Sequence, residues 1–279
     1  MLAPRHLPPA FGAWNARWHA PNGRSSRIAN HLRRHSGLMM HALGIRYLGP
    51  FAYQPNNSTR QFEYPWAYAK VAEHSMANDG RRLCVVDVGG SLGGLQWVLA
   101  REGHQAITVD PGLEARGVGW AVNAATHQAI SRALRAPVQL IPTTLAAADL
   151  ATASADVLLS VSTLEHLVPA DLAEFSTHAA RLLRPGGVAV LTIDLFVDVR
   201  PFAPADHNIY GTNVDVCALL ADAALTLHEG QGAELLGFPE FSAPNVLAHL
   251  SEYMVGVNYP SLVQCLVARV SANGAGDRL

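Results

Sequence analysis

Strong charge of either sign, long apolar runs and paired cysteines are all missing from this 279-residue sequence, and each absence removes a class of function. The formal net charge is -2 with histidine neutral, so no overall basic field draws phosphate backbones or anionic lipid. Nucleic acid and membrane surfaces are therefore poor partners to expect. No apolar stretch reaches the roughly 20 residues of a membrane span. Met1 to Ala10 carries Pro4, Pro8 and Pro9 in place of a secretory apolar region. Cys84, Cys217 and Cys265 are odd in number, far apart and outside any Cys-x-x-Cys spacing, which argues against a disulfide framework or a structural zinc site. A cytoplasmic protein with buried thiols is the expectation.

What is present is enough apolar residue, 49% of the chain, to build a full core in one large domain with an elaborated end. Residues 1–60 read as an amino-terminal arm, because Pro8, Pro9, Pro21, Pro50 and Pro55 interrupt any long periodic segment. Within it a helix is expected over Ser26 to His41. Its basic stretch, Arg24, Arg27, Arg33 and Arg34, is either a solvated face or a clamp for an anionic substrate. Residues 61–271 alternate strand, turn and helix, the pattern of a parallel sheet covered on both faces. The strands are expected at Leu83–Val88, Ala106–Val109, Val138–Ile141, Val157–Val161, Val188–Leu195, Leu225–His228 and Leu262–Val270. Residues 272–279 read as a flexible tail.

The strongest local signal is Asp87-Val88-Gly89-Gly90-Ser91-Leu92-Gly93-Gly94, lying between the first strand and its helix. Small residues there let the backbone turn sharply and approach a ligand, while the helix start offers free N–H groups. A glycine turn can also serve the strand-to-helix connection alone. Asp110 ends the second strand, where a carboxylate can accept hydrogen bonds from ribose hydroxyls or cap the turn Asp110-Pro111-Gly112. Asp87 bears on which nucleotide is bound. It would repel a dinucleotide's pyrophosphate at the glycine turn but favour the ammonium and sulfonium of S-adenosylmethionine. Ser91, at the second-glycine position of G-x-G-x-x-G, also weighs against NAD.

These residues carry a resemblance. Asp87 to Gly93 resembles the D-x-G-x-G-x-G motif of class I S-adenosylmethionine-dependent methyltransferases, with Ser91 in place of the middle glycine. Asp110 resembles their ribose-binding acid, and Leu182-Leu183-Arg184-Pro185-Gly186-Gly187 the turn before their fifth strand. Val161 to Leu167 is similar to the segment after the fourth strand in the small-molecule branch. The resemblance covers Gln61 to about Val270. It implies an α/β, three-layer, doubly wound and mostly parallel seven-stranded sheet of Rossmann-like type, the last strand antiparallel, preceded by an amino-terminal extension. It also implies S-adenosyl-L-methionine as cofactor, with Gly89, Gly90 and Gly93 at its methionine part and Asp110 at its ribose.

Around this motif further cofactor contacts are expected from Arg60, Tyr64 and Trp66 and from Ser162 after the fourth strand. An aromatic face attracts a sulfonium, and a guanidinium can pair the methionine carboxylate; the same aromatic segment could instead staple the arm to the core. Candidate general bases are His166 and His207, each in a loop leaving the carboxyl end of the sheet. Glu165 could bind substrate or fix its loop. No His/Asp/Glu run has metal-ligand spacing, so no metal is expected. The neutral charge balance and the long stretch from Glu229 to Ser261 suggest a small-molecule acceptor of specialised metabolism. A peptide or protein acceptor, an NAD-binding oxidoreductase and a non-catalytic adenosyl-binding module remain as alternatives, and the oligomeric state is open.

Overall fold

The computed structural model describes residues 1–112 and 124–270; the expected tail, 272–279, lies outside the described residues. Seven strands form one sheet in the order β3-β2-β1-β4-β5-β7-β6. They are β1 (Cys84–Val88), β2 (Gln105–Val109), β3 (Val138–Ile141), β4 (Ala155–Val161), β5 (Leu183–Phe196), β6 (Leu225–Glu229) and β7 (Ser261–Val270). Pairings from β3 through β5 are parallel, and β7 runs antiparallel between β5 and β6. This is the expected mostly parallel, Rossmann-like arrangement with its antiparallel last strand. β1 is buried along its whole length, as a run that is apolar but for Asp87 requires in a sheet covered on both faces. Helices α6 (Leu95–Arg101), α7 (Ala124–Leu134), α8 (Pro169–Leu182) and α9 (Val216–Asp222) connect the strands.

The amino-terminal extension folds as α1 (Pro9–Trp18), α2 (Arg27–Arg34), α3 (Ser36–Met39), α4 (Ala42–Leu48) and the first residues of α5 (Arg60–Met76). The single helix expected over Ser26 to His41 is broken at His35, which is extended at φ -124°, ψ 94°. The break turns the chain so that α4 packs back on α3. There a Cβ on Gly44 would stand 2.1 Å from the Leu38 carbonyl oxygen. The aromatic segment from Arg60 is the start of α5, which contains Pro65. Proline leaves the Gln61 carbonyl without its helical N–H donor. Asn15 Nδ2 donates to that oxygen at 2.7 Å instead, so an arm residue completes the helix.

The first residues of the chain extend the sheet. Cys265 N–H donates to the Met1 carbonyl at 2.7 Å and Ala3 N–H to the Val263 carbonyl at 2.9 Å. They occupy the edge of β7 beyond the end of β6, which pairs with Val267 to Val270. Trp18 and Phe51 of the arm are buried in one apolar cluster with Phe62, Val85, Leu99 and Val190.

At the opposite end of the strands from the glycine turn, β5 pairs Leu183 with Ala155, then slips so that Val188 meets Val157. The Arg184-Pro185-Gly186-Gly187 turn takes up the extra residues. Asp156 holds it. Its carboxylate accepts from Cys84 N–H at 2.7 Å, from Arg81 at 2.7 Å and, on both oxygens, from Arg184 at 2.9 Å. These donors outweigh the opposing effect of burial and hold the carboxyl at about 2. A depressed carboxylate stabilises the fold above its ordinary value of 3.8 and loses that contribution as pH falls toward 2. Asp156→Asn should therefore cost roughly 2 kcal/mol at neutral pH. In urea titrations its stability deficit should shrink between pH 4 and pH 2; a deficit independent of pH would mean the carboxylate charge is not what holds the turn.

Candidate functional site

A cavity of about 910 Å³ opens at the carboxyl ends of β1, β2 and β4, at the large end of the range for small-molecule sites. Its wall contains Asp87, Gly89, Gly90, Gly93, Asp110 and Ser162, together with Arg60 and Tyr64 from α5, and His166 and His207 from two loops. Of the residues expected at the cofactor, Trp66 alone is not on this wall. It is 5% exposed and belongs to the apolar cluster under α5. Its direction has a helical reason: two residues apart, Tyr64 and Trp66 point about 200° from one another.

The glycine turn is shaped by close approaches. Gly89 has φ +75°, and a Cβ on it would stand 2.2 Å from Thr163 Cγ2. A Cβ on Gly90 would stand 2.1 Å from Asp87 Oδ2, so only glycine lets the turn fold down over that carboxylate. Two glutamines tie the turn from behind. Gln54 Oε1 accepts from Leu92 N–H at 2.9 Å, and Gln96 accepts from Gly94 N–H and donates to the Ser91 carbonyl. Burial, then the neighbouring Asp110, pushes the Asp87 carboxyl up to about 7. Asp110 Oδ1 accepts from Gly112 N–H at 2.8 Å, the turn-capping geometry, while the residue still faces the cavity. Tyr64 donates its hydroxyl to Asn56 Oδ1 at 2.8 Å, and Gln54 to Asn57 of the arm complete this part of the wall.

Beside the cofactor-side residues lies a buried charge network. Arg60 pairs with Glu63, and its guanidinium is 3.8 Å from Asp194 Oδ2. Burial opposes the Arg60 charge, but Glu63 and Asp194 raise its pKa well above the ordinary value. Glu63 also accepts from the hydroxyls of Ser162 and Thr192. Asp194 accepts from Tyr259 Oη at 2.8 Å and Ser261 Oγ at 3.1 Å. His166 faces the cavity with Nδ1 2.5 Å from the Tyr210 carbonyl oxygen; burial lowers its pKa, which that carbonyl partly opposes. His207 is exposed on the wall.

Glu63, Asp194, Thr163, Tyr259 and the arm residues Gln54, Asn56 and Asn57 are not legible as site residues in the sequence. Asp194 leaves one sign, a lone carboxylate inside the run Val188 to Phe196, which is apolar apart from it and Thr192. The others sit in segments whose approach to the site depends on tertiary packing.

The sheet order, the glycine turn over a buried acid and a second acid at the end of the neighbouring strand define a Rossmann-like fold of the class I methyltransferase type. The family model described as "Methyltransferase domain" matches residues 86–191. The match runs from within β1 to within β5 and takes in Asp87, the glycine turn and Asp110. No curated protein matches it. Among solved structures, the [4+2]-cyclase SpnF is 14% identical over 90% of this chain and 97% of its own, with a TM-score of 0.54. An S-adenosylmethionine-dependent methyltransferase from Clostridium acetobutylicum is 10% identical over 75% and 92%, with a TM-score of 0.51. The 1,6-didemethyltoxoflavin-N1-methyltransferase of Burkholderia thailandensis is 17% identical over 97% and 95%, at a TM-score of 0.48. At such identities the likeness is one of fold.

Removing one partner of a buried ion pair strands the other charge. Glu63→Ala should thus destabilise the protein by about 3 to 5 kcal/mol, read as a lower urea midpoint. A loss under about 1 kcal/mol would show that Arg60 finds other acceptors or water.

Proposed function

We propose that this protein binds S-adenosyl-L-methionine in the cavity and transfers its methyl group to a small-molecule acceptor, one of specialised metabolism. The observation that carries the reading is the buried Asp87 carboxylate beneath the glycine turn. Burial and the neighbouring Asp110 raise it to about 7, so a positively charged ligand is favoured there and a pyrophosphate is not. The residues present fit the cofactor. Gly90 forms a cradle that any Cβ would fill, and the cavity has volume for a second molecule beside the first. When bound, the cofactor supplies a methyl group on a sulfonium leaving group.

The chain's own residues would do the rest. Asp87 meets the cationic amino-acid end, Gly89, Gly90 and Gly93 leave room for it, and Asp110 accepts from the ribose hydroxyls. Arg60 has five N–H donors, enough to hold a ligand carboxylate as well as Glu63, and Tyr64 and Ser162 close the wall. Gln54 to Asn57 form the part of the arm that covers the site. Alignment of two bound reactants and exclusion of water lower the barrier by several kcal/mol. Where the acceptor must lose a proton, His207 takes it, adding about 10²- to 10⁴-fold. His166 is the other candidate base on the cavity wall. Val168, Ile209 and Tyr210 are exposed apolar residues on the cavity wall, which suits an acceptor with an apolar body.

The Asp87 charge can be titrated. Below about pH 7 the carboxyl holds a proton and offers a cation little. The affinity for S-adenosylhomocysteine, measured by calorimetry, should therefore rise by up to about tenfold per pH unit on approaching pH 7 from below, then level off. Asp87→Asn should flatten this profile. Equal affinity about one pH unit below and one above that pKa in the unsubstituted protein would remove Asp87 from the ligand. Gly90→Ala should weaken the same ligand by at least about tenfold, the equivalent of about 1.4 kcal/mol, because the new Cβ displaces the carboxylate. A Gly90→Ala protein with full affinity would show that the turn binds nothing.

A further inference from the structure

The end of the cavity at β4 and β5 has a charge imbalance that the cofactor reading leaves unused. Glu63, Glu165 and Asp194 are all fully buried there, and Arg60 is the guanidinium paired with two of them. Glu63 and Asp194 accept hydrogen bonds from hydroxyl groups. Glu165 is different. Both of its carboxylate oxygens are shielded from solvent, and neither has a hydrogen-bond partner among the described residues. Native interiors rarely leave a buried carboxyl in that condition, since an unmade hydrogen bond to it costs more than a made one returns.

The group facing Glu165 is His166. Its Nε2 stands 3.7 Å from Glu165 Oε1, too far for a hydrogen bond. The gap does suit two atoms ligating one metal ion, each about 2.0 to 2.2 Å from it. An Asp194 oxygen completes the set, with the ligand atoms of Glu165, His166 and Asp194 all within 4.8 Å of one another. The imidazole is also oriented for the purpose. The Tyr210 carbonyl beside Nδ1 can only accept, so the proton sits on Nδ1 and Nε2 presents its lone pair, as backbone carbonyls commonly arrange for metal-binding histidines. Tyr259 and Ser261 fix Asp194 in the same way.

The geometry points to a binding site for a divalent first-row transition-metal ion formed by Glu165, His166 and Asp194. One imidazole and two carboxylates suit Mn²⁺, Fe²⁺, Co²⁺ or Zn²⁺ better than Ca²⁺ or Mg²⁺, whose sites are built of oxygen. Two positive charges would offset two of the three buried carboxylates. Because His166 is on the cavity wall, the ion would sit beside the acceptor end, next to Tyr210 and Tyr259. No linear spacing announces such a site. Two ligands are adjacent after β4 and the third is in β5, brought in by the parallel pairing of those strands.

Metal binding can be read without cofactor, acceptor or turnover, so its outcome is separate from that of the methyl-transfer reading. Full-length protein freed of metal with a chelator is titrated with MnCl₂, followed by electron paramagnetic resonance of the free ion. ZnCl₂ is tested in parallel by competition with a chromophoric chelator. One ion per chain is expected, with affinity reduced at least tenfold in Glu165→Gln and in His166→Ala. The second variant alters a cavity-wall residue and guards against a Glu165→Gln protein that fails to fold, circular dichroism reporting on both. Failure of Mn²⁺ and Zn²⁺ to bind would overturn the assignment. Binding unchanged in every folded variant would do so too, placing the ion on other histidines and leaving a proton on Glu165.

Discussion

The cavity depends on the contact between the Asp87 carboxylate and the backbone of Gly90. A strand buried on both faces has no polar outlet along its length, so a carboxylate near its carboxyl end is forced to rest beneath whatever the chain does next. Here the chain turns back over it, and the approach is close enough that a single added carbon at Gly90 would stand 2.1 Å from Oδ2. The turn therefore seals Asp87 from water and raises its pKa, while the same bend directs the start of α6 at the cavity. Burial that is costly to the free protein would favour a cation bound there, because the attraction would be felt in a medium that screens it poorly.

Much of this architecture is legible in the amino-acid sequence. The β1 to β4 segments can be located within about two residues, because β-branched runs bounded by glycine, proline and aspartate leave little choice of element. Asp87, the glycine turn and Asp110 are readable for the same reason: they sit where strands end, and strand ends are visible in sequence. What cannot be read follows from contacts between distant segments. The break at His35 depends on Gly44 meeting the Leu38 carbonyl, and Pro65 is tolerated inside α5 because Asn15 serves the Gln61 carbonyl. Trp66 resembles a cofactor residue in the sequence, since aromatic content has no direction until the helix phase is known. The pairing of Arg60 with Glu63 joins residues three apart, yet its continuation to Asp194 crosses to β5.

The arm is more closely bound to the sheet than its prolines suggest. Met1 to Ala3 occupy the edge of β7, Trp18 and Phe51 share a cluster with β1 and β5, and Gln54 touches the backbone of the glycine turn itself. Asn57 and Ser58 accept hydrogen bonds from the backbone of the loop preceding β7. The arm thus links the two sides of the cavity mouth, so its conformation and that of the site are mechanically connected.

A fold of this type does not by itself specify methyl transfer, as likeness to a protein described as a [4+2]-cyclase makes plain. The function proposed for this protein rests on one property of the site, that a cationic adenosyl ligand is preferred under the glycine turn to a dinucleotide. Calorimetric titration of the same protein sample with S-adenosylmethionine and, separately, with NADH tests it most directly. The account predicts saturable one-to-one binding of S-adenosylmethionine and no heat beyond dilution with NADH. Binding of NADH in preference to S-adenosylmethionine would contradict it.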